Sequence, residues 1–279
     1  MAVAVVAYTL KALGCSVTTN DFLAFPAVIA QATIANQGTR LTVADVERIT
    51  GAPADSRDLI QRKFDGLYFT AEDRMFLDAA WSHIDGMRGN KRALAISALV
   101  LAAARKQPRG VFTFTDLRYD DGRRDLRLTL REHFAETAEA YNAVVFDSGR
   151  PGRAMCGDVF DLDTAGYDLV YLDPPYAPPR DDNCYIKRYH FLGRWCLLAG
   201  SWLAVWWPVV WSAMSGTRVL HLVGRPPRLP LGLASGRDID AGRRRQVSVL
   251  VGGAARLGIR SAISAGSGSR STMGSSRRR

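Results

Sequence analysis

Residues 167–176 read Tyr-Asp-Leu-Val-Tyr-Leu-Asp-Pro-Pro-Tyr, and they are the most informative part of the sequence. Its apolar, β-branched and aromatic residues are typical of a buried strand in a parallel sheet. The strand is followed by a carboxylate, Asp173, and then by Pro174, Pro175 and Tyr176. Ligands of open α/β sheets bind at the carboxyl ends of the strands, so we expect these four residues to line a crevice.

The four residues after the strand offer the groups that a planar base with an exocyclic amine needs. Asp173 is an ionised acceptor, and the two prolines lack an N–H group and have a fixed φ, which makes the turn stiff. The Asp173 carboxylate and the Pro174 carbonyl would accept the two amine hydrogens, while the Tyr176 ring would stack on the base. The amine nitrogen keeps its lone pair for attack on an electrophilic methyl group. A base in a duplex must be flipped out to reach such a pocket.

Two other segments also have the pattern of a short strand with an acid at its end. Residues 154–162 contain Asp158, and residues 15–21 end in Asp21. In nucleotide-binding α/β folds, an acid at the end of such a strand accepts hydrogen bonds from ribose hydroxyls. Each acid alone is also typical of a solvated strand end, but three of them in this order favour a nucleotide site.

Asp-Pro-Pro-Tyr at 173–176 and Gly-Asp-Val-Phe at 157–160 resemble motifs of the Dam-like class of adenine-specific DNA methyltransferases. The resemblance implies an α/β fold with the Rossmann-like, mainly parallel mixed sheet of S-adenosylmethionine-dependent methyltransferases. It implies S-adenosyl-L-methionine as the cofactor, held by Asp21 at the ribose and by Asp158 and Val159 at the adenine. Residues 173–176 would form the catalytic turn, and the reaction would be methyl transfer to the N6 amine of adenine in double-stranded DNA.

The order of these motifs predicts three regions. Residues 1–50 and 142–192 would form a partial methyltransferase core. Residues 51–141 would form a mostly helical insertion, which in the resembled family recognises the target sequence. Residues 193–279 form an atypical tail rich in arginine and tryptophan, which we expect to be poorly ordered.

Basic residues in two places are the candidates for contact with DNA. Arg118, Arg123 and Arg124 surround an Asp-Gly turn signal in the insertion. Lys187 and Arg188 lie between tyrosines shortly after the catalytic turn, where they would grip phosphates near the flipped nucleotide. A solvated loop whose arginines are balanced by neighbouring aspartates is the other open interpretation of the first group.

The tail differs from the rest of the chain in composition. It contains fourteen arginines, two aspartates and no lysine or glutamate, so it supplies the excess behind the net charge of +10. We interpret it as a frameshifted translation of GC-rich DNA. Two alternatives stay open. Trp195–Met214 is an uncharged stretch as long as a membrane span, although Pro208 interrupts it, and the arginine clusters would suit non-specific binding to nucleic acid.

The chain begins within a predicted helix over residues 1–14. The resembled family places a strand and a glycine-rich turn before this helix, where the backbone can approach the cofactor. We therefore expect either a truncated start or a start codon farther upstream. For the same reason we expect little or no methylation activity from residues 1–279 as written.

Composition sets the remaining expectations. Four cysteines without a C-x-x-C pair and four scattered histidines indicate no metal site and a reduced, cytoplasmic protein. We expect a monomer without membrane association. The resemblance also allows a cognate restriction endonuclease as a partner besides DNA, although the sequence does not reveal this pairing. Two other functions stay open. One is transfer to the N4 amine of cytosine, and the other is a non-catalytic fragment that binds nucleic acid through its arginines.

Overall fold

A computed structural model shows that the chain is a mixed α/β protein, in which a small parallel sheet lies beside a group of helices. The structure describes residues 2–107, 110–112, 122–163, 166–173, 189, 191–193 and 246–250. Several predicted site residues lie outside these ranges, namely Arg118, Pro174, Pro175, Tyr176, Lys187 and Arg188.

The sheet has four strands among the described residues, and all neighbouring strands are parallel. The strands are β1 (Ser16–Asp21), β2 (Arg153–Cys156), β3 (Leu169–Leu172) and β4 (Gln246–Leu250). Their order across the sheet is β2-β1-β4-β3. The prediction of an α/β protein with a mainly parallel sheet is therefore confirmed.

The strand between β1 and β3 comes from the region after residue 193. β4 pairs with β1 along Ser16–Asn20 and with β3 along Leu169–Leu172. Because β3 has no other partner among the described strands, β4 alone connects β3 to the rest of the sheet. This strand is hard to see in the sequence, since it has only five residues and its surroundings are rich in glycine and arginine.

The helices of the described residues fall into two groups. The helices are α1 (Ala2–Ala12), α2 (Ala24–Ala30), α3 (Val43–Thr50), α4 (Leu59–Lys63), α5 (Ala71–Ile84), α6 (Gly89–Arg105), α7 (Arg124–Arg127) and α8 (Leu130–Ala143). α1 and α2 pack on strands of the sheet, whereas α3, α4, α5, α6 and α8 pack mainly on one another, and α6 also packs on α2. A π-helical turn, Gln31–Ala35, continues α2, and a 3₁₀ turn, Val159–Asp161, follows β2.

Threonine side chains define where three of these helices begin. Thr42, Thr70 and Thr129 each accept a hydrogen bond from the backbone N–H three residues later. At Thr42 and Thr129, the acid at that third position, Asp45 or Glu132, accepts from the threonine N–H in return. These reciprocal bonds are capping boxes, which satisfy N–H groups that have no partner inside the helix.

The largest core cluster includes residues from the insertion and from both flanking segments. α6 is buried along most of its length because its alanine, leucine, isoleucine and valine side chains cover several faces. Phe112 and Phe191 stack with ring centroids 4.9 Å apart, and Tyr68 meets both rings edge to face. Phe25 of α2 belongs to the same cluster. The insertion therefore shares one core with the residues on either side of it.

Lys11 of α1 and Gly152, the residue before β2, hold the π-helical turn in place. The buried Lys11 ammonium donates to the carbonyl oxygens of Thr33 at 2.8 Å and Asn36 at 2.7 Å, near the end of the turn. Gly152 packs so closely on the turn that a Cβ atom would stand 2.3 Å from the Ile34 carbonyl oxygen. Since β2 begins at the next residue, this contact sets the position of β2.

The side chains of β3 are exposed, so the prediction of a buried strand within residues 167–176 is wrong in that respect. Leu169 and Leu172 are 50% and 58% exposed. The strand lies at the edge of the described sheet, while α1 packs over β1 and β4 and α2 packs over β1 and β2. Apolar patterning predicts that a strand forms, but it does not say whether another layer covers the strand.

None of the described helices has both the length and the apolar character that crossing a membrane requires. The uncharged stretch Trp195–Met214 lies outside the described residues. The alternative of a membrane-spanning tail therefore stays a prediction.

Candidate functional site

The acids predicted from the sequence lie at one edge of the sheet. In the parallel register, Asn20 of β1 and Leu172 of β3 both align with Leu250 of β4. The next residues, Asp21 and Asp173, therefore lie level with each other on either side of β4. At about 4.8 Å per strand, roughly 10 Å separates their backbones. This edge is formed by the carboxyl ends of the strands, where parallel sheets bind ligands.

Asp21 is a buried carboxyl group at the end of β1. Only 6% of the residue is exposed, and its Oδ1 atom accepts a hydrogen bond from the Leu23 backbone N–H at 2.8 Å. Burial raises the pKa of Asp21 from 3.8 to about 6, although the bond from Leu23 acts in the opposite direction. A buried carboxylate is costly unless its oxygens are hydrogen-bonded. Hydroxyl donors of a ribose would use its remaining acceptor capacity.

Gly157 connects the end of β2 to the end of β1. Its N–H donates to the Asp21 carbonyl oxygen at 3.1 Å, one step beyond the last paired residues of the two strands. Its carbonyl oxygen accepts from the side-chain amide of Asn20 at 2.9 Å. Asp158 is the next residue in the chain, so its backbone is held close to the end of β1.

Asp158 begins a turn rather than extending a strand. Its Oδ1 atom accepts from the Phe160 N–H at 3.1 Å, and the 3₁₀ turn begins at Val159. The prediction of one strand over residues 154–162 is therefore wrong after Cys156, because an aspartate side chain that bonds to nearby backbone N–H groups favours a turn. The Phe160 side chain next to this carboxylate is 80% exposed.

Asp173 directly follows β3 and is half-buried. The other residues of the predicted catalytic turn, Pro174, Pro175 and Tyr176, lie outside the described residues. The structure therefore locates the Asp173 backbone at the carboxyl edge of the sheet. The shared binding of an amine by Asp173 and the Pro174 carbonyl stays a prediction, as does stacking on Tyr176.

Arg123 and Arg124 lie at the start of α7. Arg123 is the residue before its first turn, and Arg124 is its first residue. The exposed guanidinium of Arg124 pairs with the Glu136 carboxylate of α8, which raises the pKa of Arg124 and lowers the pKa of Glu136. Arg105 lies 3.5 Å from the same carboxylate. Contact of Arg124 with a DNA phosphate stays a prediction, and it would compete with this ion pair.

A cavity of about 430 Å³ opens among the helices, and none of the three strand-end acids lines it. Its lining includes the basic residues Arg48, Arg88 and Lys91 together with Asp45. Arg48 and Lys91 both pair with Asp45, at 2.9 and 2.7 Å. Because an acid offsets part of the positive charge, this cavity is a weaker candidate for an anion site than the basic residues alone suggest.

Asn20 is a residue of the sheet edge that the sequence analysis does not single out. It is 1% exposed, and its Oδ1 atom is buried without a hydrogen-bond partner among the described residues. One sequence feature points to it, namely the four consecutive polar residues Thr18, Thr19, Asn20 and Asp21. The structure buries all four. Buried polar groups need partners, so such a run in a strand marks a place where side chains bond to other segments.

Comparison with known proteins gives no match to a family model, a curated protein or a solved structure. Within the described part of the chain, no cluster of three or more histidine, cysteine, aspartate or glutamate side chains is arranged to hold a metal ion. The assignment of a function therefore depends on the geometry of the sheet edge and on the motifs in the sequence.

Proposed function

We propose that the carboxyl edge of the sheet binds S-adenosyl-L-methionine in a Rossmann-like methyltransferase fold. The proposed reaction is methyl transfer to the N6 amine of adenine in double-stranded DNA. One observation carries this proposal: Asp21 and Asp173 lie level on either side of β4, and Gly157 ties Asp158 to the same edge. Asp21 thus shares one edge of the sheet with two acids that come much later in the sequence, and a nucleotide bound at this edge would lie near them.

The acids at this edge fit the donors of an adenosyl group. Asp21 has one oxygen bonded to the Leu23 N–H, and its burial favours a ligand that brings its own hydrogen-bond donors. The two ribose hydroxyls are such donors. Asp158 uses Oδ1 to start its turn, and its other oxygen would accept from the amine of the cofactor adenine, next to the Val159 backbone.

Asp173 has the role of positioning the amine that receives the methyl group. S-adenosylmethionine would supply the electrophilic methyl group. An aromatic amine is a very weak acid, so removal of its proton by Asp173 would not come first. Instead, the carboxylate and the Pro174 carbonyl would hold both amine hydrogens and direct the nitrogen lone pair at the methyl carbon. The N–C bond would form as the S–C bond breaks, and the Asp173 carboxylate would then accept the proton that the methylated nitrogen loses. Catalysis would then depend on position and electrostatics.

DNA is the partner that this reaction requires, and the target base must leave the duplex to reach Asp173. Arg118, Arg123 and Arg124 of the insertion are proposed to contact phosphates. Lys187 and Arg188 are proposed to do so beside the catalytic turn. Phosphate contacts position the duplex without reading its sequence, so they predict affinity and not the recognition site. A cognate restriction endonuclease belongs to the proposal only through the resembled family.

The proposal is tested by two assays on the purified full-length chain. Titration calorimetry with S-adenosylhomocysteine measures cofactor binding, with Asp21→Ala as the variant that should lose it. Incubation with methyl-labelled S-adenosylmethionine and unmethylated DNA, followed by mass spectrometry of the nucleosides, measures transfer. We expect N6-methyladenine at a low level that disappears in Asp173→Ala.

The same assays separate the alternatives. N4-methylcytosine in place of N6-methyladenine would keep the site and change the acceptor base. DNA binding with no detectable binding of S-adenosylhomocysteine would support a non-catalytic fragment that holds nucleic acid through its arginines. Equal methylation by the unmodified chain and by Asp173→Ala would contradict the role proposed for this carboxylate.

A further inference from the structure

We propose that Asn20 is a positioning residue, which holds the Gly157 peptide and thereby fixes Asp158 at the edge of the sheet. The inference rests on the proposed function in one respect, because it takes Asp158 as the residue that contacts the cofactor adenine. Asn20 itself would touch neither the cofactor nor the target base. Its effect would pass through the backbone of the segment that follows β2.

The Gly157 residue is held by the last two residues of β1. Its carbonyl oxygen accepts from Asn20 Nδ2 at 2.9 Å, and its N–H donates to the Asp21 carbonyl oxygen at 3.1 Å. One of these bonds comes from a side chain and the other from the main chain. With both in place, the backbone that leads into Asp158 is fixed on two sides.

The side chain of Asn20 is explained by its amide donor and not by packing alone. The residue is 1% exposed, and Oδ1 is buried without a hydrogen-bond partner among the described residues. An unsatisfied buried acceptor is unfavourable, so a leucine of similar shape would suit this position better if it only filled space. The bond from Nδ2 to Gly157 is the contribution that a leucine cannot make.

Asp158 depends on this bond because its own side chain is committed to the local turn. Its Oδ1 atom accepts from the Phe160 N–H, and its carbonyl oxygen accepts from the Asp161 N–H at 3.2 Å. These bonds set the shape of the turn, but they do not attach it to β1. The two bonds to Gly157 provide that attachment. Loss of the Asn20 bond would leave the turn intact and let it move relative to Asp21.

Thr19 provides a matched control. Its hydroxyl donates to the Arg153 carbonyl oxygen at 3.2 Å, so it also joins a β1 side chain to the β2 backbone. Thr19 is buried, as Asn20 is, but its partner lies at the start of β2 and not at Gly157. Thr19→Val and Asn20→Leu each remove one such bond and nearly preserve shape. Only the second variant should affect the segment that contains Asp158.

The two hydrogen bonds that join Gly157 to Asn20 and Asp21 are called the clamp below. Hydrogen exchange on the ligand-free, full-length protein tests the clamp directly. The Gly157 amide donates to the Asp21 carbonyl oxygen and reports on the attachment to β1, whereas the amides of Phe160, Asp161 and Leu162 donate within the turn. In Asn20→Leu we expect exchange at the Gly157 amide to be about tenfold faster, the value of one typical hydrogen bond, and exchange at the three turn amides to stay nearly unchanged. In Thr19→Val we expect exchange at the Gly157 amide to stay within about twofold. Unchanged exchange at this amide in Asn20→Leu, or an equal increase in both variants, would overturn the clamp.

The preference of the site for adenine over hypoxanthine tests whether the clamp positions Asp158. S-inosylhomocysteine carries an oxygen in place of the 6-amine of S-adenosylhomocysteine, so the ratio of their dissociation constants reports the contact of Asp158 with that amine. We expect the unmodified chain and Thr19→Val to prefer the adenine compound about tenfold. We expect Asn20→Leu to reduce this preference to about threefold or less. An unchanged preference in Asn20→Leu would overturn the positioning role.

The two assays keep the failure of this inference separate from the failure of the proposed function. If the unmodified chain binds neither compound, the proposed function fails, and so does the role of Asn20 in positioning Asp158 for a cofactor. Hydrogen exchange still tests whether Asn20 holds Gly157 in place. If Asn20→Leu does not fold, Asn20→Ala replaces it in both assays. Normal binding by the unmodified chain with unaltered exchange in the Asn20 variant would overturn only the inference about Asn20.

Discussion

Asp21 and Cys156 are register partners at the ends of β1 and β2. The chain therefore leaves β2 level with the buried carboxyl group of Asp21, and Asp158 follows two residues later. Two residues of extended chain span at most about 7 Å, so the Asp158 backbone lies within that distance of the end of β2. This relationship brings two acids from distant parts of the sequence to one ligand-sized region.

Replacement of Asp21 by asparagine should stabilise the protein at neutral pH. Burial raises the pKa of Asp21 from 3.8 to about 6, so ionisation of this group opposes folding. The stability that the protonated group provides is complete below about pH 4 and is lost as the pH rises through about 6. A shift of about two units corresponds to roughly 3 kcal/mol. The increase in the free energy of unfolding in Asp21→Asn should therefore be absent at pH 4 and complete at pH 8.

Urea denaturation at several pH values measures this effect. The same variant should bind S-adenosylhomocysteine at least tenfold more weakly, because asparagine replaces an ionised acceptor with a neutral one. Replacement of a functional acid that lowers stability is expected to raise stability and to weaken binding together. Asp21→Asn with the same stability as the unmodified chain at pH 8 would contradict the burial argument.

Gly152 should tolerate no side chain. A Cβ atom there would stand 2.3 Å from the Ile34 carbonyl oxygen, so Gly152→Ala requires the π-helical turn and β2 to separate. We expect a loss of about 2 kcal/mol or more in the free energy of unfolding, typical of overpacking in a close contact. Gly38→Ala is the control, since nothing lies within 4 Å of a Cβ atom at that position. Similar losses in both variants would show that the close contact has no special effect.

Removal of β4 should separate β3 from the sheet. β3 pairs only with β4 among the described strands, so a chain that ends at residue 245 leaves the Leu169–Leu172 amides without their ladder. We expect these amides to exchange at rates near those of an unfolded chain. A chain that ends at residue 250 keeps every described strand pair and should keep their protection. Equal protection in the two truncated chains would contradict the central position of β4.

Glu136→Gln tests whether Arg124 contacts DNA. Glu136 is the partner of Arg124 and lies near Arg105. The neutral variant therefore removes the carboxylate that offsets their positive charge at this surface. We expect tighter DNA binding, and the slope of log affinity against log salt should increase by about one for each additional phosphate contact. Arg124→Gln in the Glu136→Gln background should reverse the increase. Fluorescence anisotropy at several salt concentrations provides both values, and an unchanged slope would contradict contact by Arg124.

The sequence predicted elements whose signals lie within a few neighbouring residues. The strand that ends at Asp21 follows from its composition and its final acid. The exposure of β3 and the position of β4 between β1 and β3 were not predictable in this way. Both depend on which distant segments pair, and a short apolar run does not encode its partner. Asn20 was missed for the same reason, because its partner Gly157 lies 137 positions away.

The proposed function requires that Asp21 and Asp158 hold an adenosyl cofactor at the carboxyl edge of the sheet. Titration calorimetry with S-adenosylhomocysteine tests it most directly, on the unmodified chain and on Asp158→Ala, with Glu47→Gln as an exposed control on α3. We expect binding by the unmodified chain, the same affinity in Glu47→Gln, and at least a tenfold loss of affinity in Asp158→Ala. No binding by the unmodified chain, or equal affinity in Asp158→Ala, would contradict it.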